Sequence, residues 1–144
     1  TKHPYYRKFR IQDADSVNYS SASPIIMMRY ANVLLVYAEA QARSTGPDAS
    51  AYDAINAVRA RAGLNPLTPG LNADDFVKAV LQERAWEFAA EWTRWFDMIR
   101  TETVAEVLSH RNPNENNKII GDPNDKKNWL FPIPGTDKSK SPNL

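Results

Sequence analysis

Cysteine is absent from the 144 residues, so no disulfide, thiolate metal site or cysteine nucleophile is available. Histidine is nearly absent. His3 and His110 have no partner at ligand spacing, which leaves no Glu-x-x-His pair for a helical carboxylate–metal site. The five glycines are scattered and make no phosphate-cradling loop. Neither sign of charge dominates: 18 Lys and Arg stand against 17 Asp and Glu, a formal charge of +1. The basic residues form no stripe, so nothing draws the chain toward nucleic acid or acidic lipid. No metal, cofactor or nucleic-acid partner is expected.

Long uninterrupted apolar runs are lacking too. The best candidate, "IIMMRYANVLLVYAEAQA" at 25–42, is broken by Arg29, Asn32, Glu39 and Gln41. A charge at mid-bilayer costs about 2.5–3.5 kcal/mol on insertion scales, so this reads as a buried helix of a water-soluble domain. The opening "TKHPYYRKFR" has no initiator Met, signal-peptide core or lipid-attachment cysteine, and it reads as an internal cut in a longer protein.

Helical periodicity is abundant. Residues 1–23 read as an irregular lead-in, in which "YYRKFRI" could form a short strand. A first helix is expected from a Ser23 cap and Pro24 at its first position, with Ile26, Tyr30, Val33, Leu34, Tyr37 and Ala38 at helical spacing. Gly46-Pro47 stops it, and its few polar positions predict a central, mostly buried helix. A second helix begins after Asp48 or Ser50, carries the small stripe Ala51, Ala54, Ile55, Val58 and Ala62, and ends at Gly63. Asn72 caps a third, with Asp74 and Asp75 in its positive first turn. The stripe Val77, Leu81, Phe88, Trp92, Trp95 and Ile99 then fits either one long helix or two broken near 90–93. "TETVAEVLSH" can add a short helical turn or two. Residues 111–144 hold half of the ten prolines and one apolar island, "NWLFPIPG"; they read as an irregular tail wrapping the domain. The expectation is a single all-α domain over 1–144, built of tetratricopeptide-like antiparallel helix pairs.

The stretch "ERAWEFAAEWTRWFDMIR" from Glu83 to Arg100 concentrates charge and aromatic rings. Glu83, Glu87 and Glu91 step by four along one helical face, which invites an acid–base reading. Glycoside hydrolysis, however, needs one carboxyl with a raised pKa, and the interleaved Arg84, Arg94 and Arg100 lower carboxyl pKa values instead. No catalytic residue is assigned. Opposite charges three residues apart (Arg84–Glu87, Glu91–Arg94, Arg94–Asp97, Asp97–Arg100) read as a structural lattice among rings. Glu39, on an apolar helix, needs a partner and joins this network, with Arg59, Arg84 and Arg94 as candidates. The helix-borne Trp86, Trp92 and Trp95 read as core. Trp129, Tyr5 and Tyr6 lie outside regular helices, where a free ring face could stack on a sugar.

The ordered motifs "LLVYAEAQAR", "AINAVRARAGL", "VLQERAWEFAAEWTRWFDMIR" and "LFPIP", spanning about 25–144, resemble the carboxy-terminal part of the SusD/RagB family of Bacteroidetes nutrient-binding outer-membrane lipoproteins. One departure is the ending "KSKSPNL", which stops short of the family's usual Asn-Pro-Gly. The resemblance implies tetratricopeptide-like helix pairs, no enzymatic activity, and tethering at the cell surface through a lipidated amino-terminal cysteine absent from this chain. It also implies partnership with a TonB-dependent transporter of the SusC type in capturing an oligosaccharide or peptide nutrient. The ligand platform is expected mainly in segments upstream of this region. The alternative is a generic tetratricopeptide-like scaffold that docks peptides or proteins.

Overall fold

The computed structural model describes residues 8, 26–112, 114, 119 and 121–141, and all regular structure among them is helical. The expected all-α class holds. The chain divides into two compact units, Thr1–Arg94 and Trp95–Leu144.

The first unit contains α1 (Tyr30–Thr45), α2 (Ala49–Arg61) and α3 (Ala73–Glu87). Helix α1 starts later than the Ser23-Pro24 signal predicts. Ser23 and Pro24 lie outside the described residues, while Ile26–Met28 are described and non-helical. Arg29, at the N-cap position, is extended at φ −126°, ψ 156° and provides no side-chain cap. Its side chain is committed to the end of α3 instead. At the other end the stop signal works as expected. Gly46 adopts φ 93°, a region closed to most side chains, and its N–H donates to the Ala42 carbonyl.

Of the two proposed starts for α2, Asp48 is the cap. Its carboxylate accepts from the Ala51 N–H at 2.9 Å and from the Ser50 hydroxyl at 2.7 Å. These bonds, the serine's foremost, hold the Asp48 carboxyl below its ordinary pKa. Asn72 caps α3 as expected, accepting from the Asp75 N–H at 2.9 Å.

Helix α1 packs against both α2 and α3, but of its expected stripe only Ala38 is buried and Leu34 partly so. Ala31, Leu35, Ala38 and Ala42 point into the core, while Tyr30, Val33 and Tyr37 are exposed. The mostly buried helix is therefore half exposed. Alanine lets two neighbours approach one helix closely, and α2 answers with Ala51, Ala54, Ile55 and Val58. From α3, Phe76, Val77 and Val80 complete the cluster, which Phe88 joins just beyond the helix. The Tyr52 ring meets Phe76 edge-on at 4.8 Å, and its hydroxyl accepts from the Leu71 N–H at 3.0 Å. With Asn56 accepting from the Leu67 N–H, this ties the α2–α3 connector to α2.

The open question at 90–93 is resolved in favour of a break. Ala90 (φ 63°) and Trp92 (φ 59°) are left-handed, and a new helix, α4 (Arg94–Arg100), follows. Neither residue is a glycine, so each conformation costs about 1–2 kcal/mol and must be held by its surroundings.

The second unit holds α4 from Trp95 onward and α5 (Val104–Ser109). The tail is less irregular than expected, with a 3-10 turn at Lys126–Trp129 and α6 (Gly135–Lys140). Its core is small: Met98, Val104 and Trp129 are buried, flanked by Trp95, Ile99, Val107 and Leu108.

Candidate functional site

The charged stretch after Glu83 forms a cage at the end of α3. Its central cation is Arg29, which the sequence presents only as an interruption in an apolar run. The Arg29 guanidinium pairs with Glu87 and donates to Glu91 from Nε at 3.0 Å and from Nη2 at 2.9 Å. Arg61 from the last turn of α2 reaches Glu87 as well, and Lys8 reaches Glu91 at 2.7 Å. Burial opposes the charge on Glu91, but hydrogen bonds from Arg29 and Lys8 outweigh it and hold its pKa below the ordinary carboxylate value. Burial likewise opposes the charge on Arg29, and bonds to Glu91 and Glu87 outweigh it, raising its pKa.

The cage also occupies the end of α3, where the helix breaks. In a continuous helix the Glu87 carbonyl would accept from the Glu91 N–H. Here that N–H turns to the Phe88 carbonyl at 2.9 Å. The freed Glu87 carbonyl accepts from Arg29 Nη2 and Lys8 Nζ, both at 2.9 Å. Two cations thus cap the negative end of α3. The Phe88 ring lies against Arg29 and Arg84, at 4.9 Å and 5.3 Å from its centroid.

The residues read as a structural lattice are paired otherwise than their spacing suggests. Glu39 pairs with Arg43 one turn on, at 2.9 Å. Arg59, a proposed partner of Glu39, instead holds Glu83 at 2.7 Å, and Glu83 is 2% exposed. Arg84 donates to Asn32 of α1 at 2.8 Å. Asp97 pairs with Arg100 at 2.8 Å as expected. Arg94, assigned a central place, has no ion pair among the described residues, because α4 starts anew there and its i,i+3 geometry with Glu91 is lost. Arg29, Arg43, Arg61 and Lys8 are the members the spacing rule misses. Most of them reach across elements, and local spacing registers only neighbours on one helix. The charged residue inside an apolar run was the available signal.

Every buried side-chain nitrogen or oxygen among the described residues has a partner. Chemically, the cage engages its carboxylates with cations, and those cations favour the charged form of Glu91. No group of three His, Asp or Glu among the described residues could hold a metal ion.

The aromatic residues trade places relative to expectation. Trp129 is 8% exposed: its indole N–H donates to the Pro123 carbonyl at 2.8 Å, and Lys126 lies 5.6 Å from its ring centroid. Its faces are taken up in the core of the second unit and are not free to stack. Trp86 and Trp92, expected inside, are 57% and 71% exposed. Trp95 is half-buried, against the second cluster. Tyr5 and Tyr6 lie outside the described residues. No helix among the described residues is long and apolar enough to cross a membrane.

Comparison with known proteins agrees with the motif order. The chain matches the SusD family over residues 1–144. It is 33% identical to SusD-like protein P2 of Formosa agariphila over 86% of this chain and 25% of that one. SusD-like proteins P25 and P38 of the same organism are 35% and 32% identical, over 73% and 77% of this chain and 20% and 24% of theirs. The chain thus spans about a quarter or less of the length of these relatives. No solved structure matches it. Sequence motifs, helical architecture and these matches agree: the chain belongs to the SusD family.

Proposed function

We propose that this chain serves, as part of a longer polypeptide, in a non-catalytic nutrient-binding lipoprotein of the outer membrane. That protein captures an oligosaccharide or peptide and works with a TonB-dependent transporter of the SusC type. The family match along the whole chain carries this reading. The cage supports it: its carboxylates are neutralised by arginine and lysine, an arrangement suited to holding helices rather than to turning over a substrate. Among the described residues, the exposed Trp86 and Trp92 are candidates to offer a ring face to a sugar, ahead of the buried Trp129.

Glycan-array and peptide binding by the family-length protein, compared with this chain alone, tests the proposal. Binding by the longer protein, weak or lost in the isolated chain, is the expected result. Substituting Trp86, Trp92, Tyr5 and Tyr6 singly then locates any contact made here. Failure of the longer protein to bind any saccharide or peptide, or to co-purify with a transporter, would sink the reading.

A further inference from the structure

The segment just beyond the cage brings together two side chains whose roles the packing does not account for. Trp92 is left-handed at φ 59° and 71% exposed. A left-handed backbone suits glycine, and an indole that stays mostly in water gains little burial to offset the strain. Two residues on, Arg94 is half-buried. Every other arginine among the described residues is engaged by a partner, whereas Arg94 makes no ion pair or hydrogen bond among them. The carboxylates three residues to either side of it are already served: Glu91 by Arg29 and Lys8, Asp97 by Arg100. The positive charge of Arg94 therefore stands uncancelled. Thr93, partly exposed, adds a hydroxyl between the two.

We propose that residues 92–94 are a contact site for an acidic saccharide, one that bears a carboxylate or sulfate group. The inference rests on the nutrient-binding reading and names the class of ligand. The indole offers an apolar face to the C–H face of a sugar ring, and the guanidinium fork matches the acid group through two parallel hydrogen bonds. Three successive Cα atoms span at most about 7 Å, so one or two sugar residues can meet ring and guanidinium together. A neutral sugar would leave the charge of Arg94 unused. An acidic peptide side chain would engage Arg94 without covering the indole. The acidic sugar uses both. The cage prepares the segment: Arg29 and Lys8 grip the Glu91 carboxylate immediately before Trp92, so the strained turn is presented already formed.

Affinity electrophoresis of the family-length protein tests this, through gels containing alginate, polygalacturonate or chondroitin sulfate, with starch and laminarin as neutral controls. Retardation by at least one acidic polymer, weakened by added salt, is the expected result. Arg94→Ala should lower affinity for that polymer at least about tenfold and flatten the salt dependence while leaving the melting temperature unchanged. Arg94→Lys, which keeps the charge and loses the fork, should recover only part of the affinity. Trp92→Gly should lower affinity by a similar factor without lowering the melting temperature, because glycine accepts the left-handed backbone. Unchanged binding in Arg94→Ala or in Trp92→Gly overturns the proposal. So does loss of binding that comes with a lower melting temperature in both, which assigns these residues to the scaffold. Equal binding of poly-glutamate, insensitive to Trp92→Gly, would place an acidic peptide here and overturn the saccharide. Retardation by neutral polymers alone overturns the acidic class and leaves the nutrient-binding reading standing; no binding of any saccharide or peptide removes both.

Discussion

The two compact units are held in different ways. The first spreads its stability over an alanine-rich seam, a cluster centred on Leu35, Ile55, Phe76 and Val80, and a cage of arginines and carboxylates drawn from several elements. The second depends on three buried side chains, of which Trp129 is by far the largest. Around that ring the tail is fastened by short-range bonds: Asn128 donates to the Asp122 carbonyl at 2.9 Å, and Asp125 accepts from the Lys127 N–H at 3.0 Å. Where burial is distributed, losing one group is tolerated; where it is concentrated, one group decides.

The sharpest way to break that contrast is Trp129→Ala. Removing a buried tryptophan costs about 3–5 kcal/mol, as much as a core of this size is expected to supply. Amides of Met98–Ser109 should lose hydrogen-exchange protection while α1–α3 keep theirs. Equal loss in both units would show that they share one core.

Next in size is Arg29→Ala. It leaves Glu87 to Arg61 and Glu91 to Lys8, so the loss should be about 3 kcal/mol, at the low end for breaking a buried pair. Urea melts should show it in the first unit, together with fraying at the end of α3. A loss below about 0.5 kcal/mol would place the cage among exposed pairs of little weight.

In the second unit, Gly121→Ala tests the tail. Gly121 has φ 90°, and a Cβ there would lie 3.1 Å from Asn128 Nδ2. Strain alone predicts a loss of about 1–2 kcal/mol, read from thermal melts with hydrogen exchange of the Lys126–Trp129 amides as the local probe.

A smaller, reversible probe is acid. Because the folded pKa of Glu91 is depressed, its contribution is fully present above the ordinary value of 4.5 and is lost as pH falls through the depressed one. The urea midpoint of the first unit should therefore drop on acidification below that value, and Glu91→Gln should flatten the dependence. An identical profile in the variant would assign the acid sensitivity to other carboxylates.

Arg94→Ala should have the least effect, within about 0.5 kcal/mol, because Glu91 and Asp97 are served by Arg29, Lys8 and Arg100. A loss above 2 kcal/mol would restore Arg94 to the centre of the lattice.

Local physics was legible in the sequence. Helix class, the Gly46 stop, the Asn72 cap and the small stripe of α2 follow from short-range rules of backbone conformation, orphan N–H groups and side-chain spacing. The ordered motifs carried the family. Three things were decided only in tertiary structure. Which face of α1 is buried depends on how closely two neighbours approach, so alanines won over the larger Tyr30, Val33 and Tyr37. At the break after α3, Lys8 and Arg29, distant in sequence, occupy the Glu87 carbonyl that a continuous helix would have used, a pairing that no local rule registers. Trp129 is buried, and Trp86 and Trp92 exposed, because burial depends on which surfaces meet rather than on whether a residue sits in a helix or a loop.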